Sequence, residues 1–201
     1  VVSKYIWKKY LPSFSEIKNG EEIVMFDYSM GFGHRMLGAL ALIAQEQEKY
    51  KEKDFSNIKY VCCDPWSKIC KNNLELAKFV GMEKHVEINN TGTELFDFSK
   101  RKDGKYIDIA FSSPPYFDKE IYGGSEPSGQ VVLTPSGSSY NGFINVWWKT
   151  VVRNIVKHLK EDTGVFVLNM VEDMDKSDKK NNHKIADDMV KICLEEGLEV
   201  K

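Results

Sequence analysis

The feature that most constrains this fold is a regular alternation between short apolar runs and longer amphipathic stretches. The short runs have the length and the β-branched or aromatic content of buried strands, and they cover 22–27, 58–64, 85–89, 106–113 and 164–170. The longer stretches repeat apolar residues at helical spacing, and they cover 34–50, 67–82, 140–160 and 183–197. A last short run, 198–200, predicts the start of a sixth strand. Because strands that alternate with helices form parallel sheets, the pattern predicts one α/β domain with a doubly wound, mostly parallel sheet and helices on both faces.

The composition predicts a globular protein of the cytoplasm, with no membrane partner. Hydrophobic residues make up 42% of the chain and charged residues 29%, so 201 residues can bury the core of one domain. No apolar run reaches the roughly 18 to 20 residues that span a bilayer, and no signal peptide is evident. The cysteines lack the spacing of a zinc site, so we expect free thiols at Cys62, Cys63, Cys70 and Cys193. Since the chain does not begin with Met, we expect it to be a piece of a longer protein.

The first predicted strand ends in "FDYSMGFGHRMLGALA" (26–41), where Asp27 is followed by a turn that contains Gly31 and Gly33. Glycines let a backbone approach a ligand closely, and a helix amino terminus favours negative charge. In a doubly wound sheet, ligands bind outside the carboxyl ends of the strands. The turn is therefore a candidate ligand site, with a purely structural strand-to-helix turn as an equal alternative.

The second strand ends in "VCCDPW" (61–66). An acid at this position is well placed to accept hydrogen bonds from both ribose hydroxyls of a nucleoside. Alternatively, Asp64 caps the next helix, with Pro65 as the first helical residue. The two roles are compatible with each other.

The fourth strand ends in Ser113-Pro114-Pro115-Tyr116. Proline has no backbone N–H and a fixed φ, so this pair cannot continue a strand ladder. A stiff turn followed by an aromatic ring is typical of a binding site, although a turn with a packed ring would also explain it. The stretch 123–139 is rich in Gly, Ser and Pro and predicts a mobile surface loop that covers or binds a ligand.

The first and fourth strand ends together resemble motifs I and IV of the S-adenosylmethionine-dependent amino-methyltransferases, which methylate adenine N6 or cytosine N4 in DNA. The family's catalytic tetrapeptide is (D/N/S)-P-P-(Y/F/W), and its motif I is roughly D-P-F-x-G-x-G. The resemblance covers about 23–170 and implies a Rossmann-like class I methyltransferase fold, with S-adenosyl-L-methionine as the cofactor and no metal.

The resemblance also implies a role for each matching residue. The catalytic residues would be Ser113, Pro114, Pro115 and Tyr116. The cofactor-binding residues would be Asp27, Ser29, Gly31, Gly33, Asp64, Pro65, Trp66 and Asn90. Phe117 and Tyr122 would help to hold the substrate base. Two departures stand out: Tyr28 replaces a proline of motif I, and the acid that usually follows a glycine after the third strand is not evident in "INNTGTELFDF".

The function that the resemblance implies is methylation of a base flipped out of DNA, as in the restriction-modification enzymes of bacteria and phages. The formal net charge of −2 is low for a protein that binds DNA by itself. The two motifs also lie too close in sequence to enclose a target-recognition domain, so we expect that domain elsewhere in a longer chain or on a partner subunit. Three alternatives stay open: methylation of RNA adenine, methylation of glutamine side chains in proteins, and an inactive scaffold in a larger complex. The first two usually have Asn in place of Ser113.

Overall fold

The core of the fold is a five-stranded parallel sheet. The computed structural model describes residues 2–117, 138–170 and 184–200. The strands are β1 (Ile23–Asp27), β2 (Ile58–Cys63), β3 (Val86–Asn89), β4 (Ile109–Ser112) and β5 (Val165–Leu168). Their order across the sheet is β3-β2-β1-β4-β5, and every pair is parallel. The order reverses between β1 and β4, which confirms the predicted doubly wound sheet.

Helices cover both faces of this sheet. The α-helices are α1 (Val2–Tyr10), α2 (His34–Lys49), α3 (Ser67–Phe79), α4 (Phe98–Arg101), α5 (Tyr140–Gly142), α6 (Lys149–His158) and α7 (Ile185–Glu195). Alternate residues of β1 enter two separate apolar clusters. Ile23 and Met25 pack in the cluster that contains residues of α1, α2 and α3. Val24 and Phe26 pack in the cluster that contains residues of α6 and α7.

Helix α1 is not predicted by the sequence pattern, which is mixed and cationic over this stretch. Its Trp7 is fully buried, and the indole Nε1 donates a hydrogen bond to the Arg35 carbonyl at 3.0 Å. The helix approaches α2 closely at Gly38, where an added Cβ would lie 2.3 Å from Ser3 Oγ. This tryptophan and this close contact, together with an ion pair between Lys8 and Glu46 at 2.7 Å, hold α1 against α2, although α1 lacks a regular apolar stripe.

A π-helical segment, Phe143–Trp148, joins α5 to α6. Regular helical spacing over 140–160 predicts a buried stripe of Phe143, Val146, Trp147, Val151 and Ile155. Val146 is instead 50% exposed, while Trp147 and Trp148 are both buried. The π turns change which residues face the core, because each π turn contains more residues than an α turn.

All five observed strands are one to four residues shorter than predicted, most of all the fourth, and the predicted sixth strand is wrong. The fourth strand begins at Ile109 rather than at 106, because the buried Asp108 carboxylate accepts a hydrogen bond from Val24 N at 2.8 Å. Residues 198–200 form no strand in the part of the chain that the structure describes. The four cysteines are buried and free, as predicted. Within the described ranges, no helix is long and apolar enough to cross a membrane.

Candidate functional site

A cavity of about 350 Å³ lies at the carboxyl edge of the sheet, where the strand order reverses. Segments that follow four strands line it, together with one residue of the π segment. The lining consists of 28–32, 34–35, 64–66, 69, 92–94, 113–116 and 147. Ligand pockets of small molecules usually lie in this position and have about 300 to 1,000 Å³.

The glycine turn after β1 forms one wall of the cavity. Gly31 and Gly33 have φ values of 57° and 80°, in the left-handed region that favours glycine. The turn is fixed from α3, since Asn73 Nδ2 donates to the Gly31 carbonyl at 2.9 Å. A Cβ added to Gly33 would lie 2.1 Å from Asn73 Oδ1. The turn therefore needs glycine at this position both for its backbone angle and for its contact with Asn73.

We expect Gly33→Ala to lower the free energy of unfolding by about 1 to 3 kcal/mol more than Gly81→Ala does. Gly81 has a similar φ of 68°, but a Cβ there would meet no atom within 4 Å. The difference between the two variants in denaturant unfolding therefore isolates the contact with Asn73. Equal losses in both variants would show that backbone strain alone explains the cost.

Asp64 connects the turn after β2 to the glycine turn. Its Oδ2 accepts a hydrogen bond from Gly31 N at 2.9 Å, and its Oδ1 accepts one from Trp66 N at 2.9 Å. Burial raises the pKa of Asp64 above its usual value, and these two N–H donors offset the increase only in part. The capping alternative is wrong in detail, because α3 begins at Ser67 with Trp66 as its N-cap, so Pro65 is not a helical residue. Each carboxylate oxygen keeps a lone pair for a ligand in the cavity.

Asp27 lies behind the cavity and is not among its lining residues. Its carboxylate is fully buried and forms an ion pair with Arg35 Nε at 2.8 Å, and it accepts a hydrogen bond from Tyr60 Oη at 2.5 Å. Burial lowers the pKa of Arg35, but the charge of Asp27 outweighs it and raises that pKa overall. Arg35 also donates to the carbonyls of Ser29 and Met30, which belong to the lining. Asp27 Oδ1 also accepts a hydrogen bond from Ser29 N at 3.2 Å, so Asp27 supports the cavity wall both directly and through Arg35.

The segment after β4 forms another part of the wall, with Ser113, Pro114, Pro115 and Tyr116 in the lining. The preceding Ser112 donates through Oγ to the Ser29 carbonyl at 3.1 Å, which ties this wall to the glycine turn.

Tyr28, which replaces the proline of motif I, forms further hydrogen bonds between β1 and the strands β4 and β5. Its buried hydroxyl donates to the carbonyls of Ser112 at 3.3 Å and Val167 at 3.1 Å. Burial raises the pKa of Tyr28 well above its usual value, so the hydroxyl remains a donor. The tyrosine therefore holds β1, β4 and β5 together at the cavity.

Glu94 and Trp147 line the cavity, although sequence reasoning did not assign them to the site. Trp147 Nε1 donates to Glu94 Oε2 at 3.0 Å, which joins the segment after β3 to the π segment at the cavity. A sequence signal for Glu94 exists, since it follows Gly92 by two residues in "TGTEL". The segment after the third strand thus contributes an acidic residue to the lining.

The structure brings most of the predicted residues together at one cavity. Those in the lining are Ser29, Gly31, Asp64, Pro65, Trp66, Ser113, Pro114, Pro115 and Tyr116. Gly33 and Asn90 lie just outside it, and Asn90 Nδ2 donates to the carbonyls of Asp64 and Pro65. Phe117 has a positive φ of 54°, and its ring packs against Phe143 and Tyr140. Tyr122 and almost all of the predicted loop 123–139 fall outside the described residues.

The chain matches no known family model and no curated protein. Among solved structures it is similar to a putative O-methyltransferase from Nostoc punctiforme, with a TM-score of 0.56 and 12% identity over 99% of this chain and 50% of that one. It is also similar to the [4+2]-cyclase SpnF, with a TM-score of 0.55 and 9% identity over 96% of this chain and 56% of that one. The chain has the class I methyltransferase fold.

At such low identity, these similarities show the fold alone. The chain spans about half the length of these two structures. One of the two is described as a methyltransferase and the other as a cyclase, so this fold does not determine the reaction. The reaction therefore depends on the residues that line the cavity.

Proposed function

We propose that this chain is the catalytic domain of an S-adenosylmethionine-dependent methyltransferase that acts on adenine N6 or cytosine N4 in DNA. One observation carries the proposal: the glycine turn and the Ser-Pro-Pro-Tyr segment line the same cavity. A cofactor and a substrate amino group can therefore meet there.

The residues on the side of β1 and β2 fit S-adenosylmethionine. Asp64 accepts hydrogen bonds from the ribose hydroxyls with the lone pairs that its two N–H donors leave unused. Trp66 packs against the adenine ring, and the turn at Gly31 lies against the methionyl part. When bound, this cofactor supplies an electrophilic methyl group on a sulfonium centre.

The residues after β4 activate the amino group of the substrate. Such a group is a poor nucleophile, because its lone pair is delocalised into the ring. Ser113 Oγ and the Pro114 carbonyl accept its N–H hydrogen bonds, which favours a more pyramidal and electron-rich nitrogen. The two prolines fix these acceptors before the reaction, so little reorganisation is needed in the transition state. Tyr116 stacks on the base.

The proposal is tested by tritiated methyl transfer to DNA, RNA and protein in parallel. Because a recognition domain has to be supplied from elsewhere, the DNA arm uses short single strands as well as duplex. A single strand avoids the cost of base flipping, which is a few kcal/mol. We expect label in DNA, and nucleoside digestion with mass spectrometry then distinguishes N6-methyladenine from N4-methylcytosine. Label in RNA or protein alone would contradict the DNA assignment, and no transfer to any of them would contradict the proposal.

Asp64→Ala is expected to weaken S-adenosylhomocysteine binding by about 10- to 150-fold, since a hydrogen bond to a charged group contributes about 1.5 to 3 kcal/mol. The measurement is the shift of the melting temperature with ligand concentration. Asp108→Ala is the matched control, because Asp108 is also a buried carboxylate but lies at the amino end of β4 and pairs with Lys160. It should lower stability and leave the affinity unchanged. Normal affinity in Asp64→Ala would contradict the proposed cofactor site.

A further inference from the structure

Asn169 lies directly after β5, beside the proposed catalytic serine. Its backbone N–H donates to the Ser112 carbonyl at 3.0 Å and so continues the pairing of β5 with β4 by one residue. Its side-chain Nδ2 donates to Ser113 Oγ at 2.7 Å. Asn169 is not among the residues that line the cavity, so it contacts the serine from outside the site.

The two prolines fix the backbone of this segment but leave the Ser113 side chain unconstrained. Pro114 holds Ser113 in an extended backbone conformation. A serine hydroxyl can still occupy three staggered rotamers, and it has one donor and two acceptor positions. In the proposed reaction one acceptor lone pair must face the substrate amino group, so the rotamer has to be selected by another contact.

We propose that Asn169 is a positioning residue that fixes the Ser113 side chain for the reaction. The amide occupies one lone pair of Oγ and leaves the other available for the substrate. Its own position is fixed, because the backbone hydrogen bond to Ser112 holds it in register with β4. This inference rests on the proposed function, since it needs Ser113 to contact the substrate.

The test is a double-mutant cycle of Asn169→Ala and Ser113→Ala. We expect Asn169→Ala to lower kcat by about 10-fold, since a displacement of a reacting group by 1 Å can cost 100-fold. The KM and the affinity for S-adenosylhomocysteine should stay unchanged. The double variant should be no slower than Ser113→Ala alone, because Asn169 acts only through the serine hydroxyl.

Asn57→Ala is the matched control. Asn57 is likewise an exposed asparagine whose side-chain amide donates one hydrogen bond, but to the Gly20 carbonyl at 2.8 Å and at the amino edge of the sheet. It should leave kcat unchanged. An unchanged kcat in Asn169→Ala, or the same loss on the Ser113→Ala background, would overturn the inference while the proposed function stands. Full activity of Ser113→Ala would overturn both.

A second measurement does not depend on turnover. The three-bond NMR couplings between the Hα and Hβ protons of Ser113 report which χ1 rotamer its side chain occupies. We expect the couplings of one dominant rotamer in the original chain and couplings averaged over several rotamers in Asn169→Ala, while Asn57→Ala keeps the original values. Unchanged couplings in Asn169→Ala would show that the hydrogen bond does not fix the Ser113 side chain, and the inference would then be wrong even if no substrate had been found.

Discussion

Tyr116→Ala is expected to lose methyl transfer by about 5- to 150-fold in kcat/KM and to keep its affinity for S-adenosylhomocysteine. Stacking of a base on an aromatic side chain contributes about 1 to 3 kcal/mol, and this is the contact that the substitution removes. Tyr116 lines the cavity directly after Pro115, in the segment after β4 rather than in the glycine turn. The substitution should therefore weaken the interaction with the substrate base and leave cofactor binding unchanged.

Tyr116→Phe is the matched control for this variant. It keeps the ring and removes the hydroxyl, so its activity should stay within about threefold of the original, since only a contact of hydrogen-bond size is at risk. Methyl transfer and cofactor affinity are measured on the same preparations. Full activity in Tyr116→Ala would refute the assignment of the tetrapeptide, while joint loss of transfer and cofactor binding would indicate a damaged fold.

The sequence predicts the layers of this fold but not every element. Alternating strand and helix patterns are sufficient to predict a parallel sheet, because both faces of such a sheet must be buried. Helix α1 is not predicted by this reasoning, since Trp7 is held by the Arg35 carbonyl and Ser3 packs closely against Gly38, which has no side chain. Contacts between residues about 30 positions apart leave no periodic signal.

The sequence likewise predicts which strand ends meet, but not where each side chain points. Carboxyl ends of parallel strands lie at one edge, so the grouping of Gly31, Asp64 and Ser113 follows from their positions. The sequence does not show that the Asp27 carboxylate lies outside the lining, where it forms hydrogen bonds with Arg35 and with the distant Tyr60. Trp147 reaches the cavity from the π segment, which a period of 3.6 residues cannot describe.

Removal of the Asp27 carboxylate is expected to have the largest effect on stability. Asp27→Ala leaves Arg35 without its charge partner, and loss of one member of a buried pair costs about 3 to 5 kcal/mol. The exposed fractions of the two side chains are 0% and 17%, so water screens this pair little. Tyr60→Phe removes a hydrogen bond to the same carboxylate and leaves the ion pair intact, so it should cost about 1.5 to 3 kcal/mol.

A double variant separates the contribution of the Asp27–Arg35 pair to stability from its contribution to ligand binding in the cavity. Asp27→Asn with Arg35→Met removes both charges, and it should recover most of the unfolding free energy that Asp27→Ala loses, because no buried charge remains unpaired. It should still bind S-adenosylhomocysteine more weakly than the original chain, since the carbonyls of Ser29 and Met30 have lost the guanidinium that holds them. Both quantities come from denaturant unfolding with and without ligand. An affinity equal to that of the original chain would mean that Arg35 does not organise the glycine turn for ligand binding, and that the ion pair contributes only to the stability of the fold.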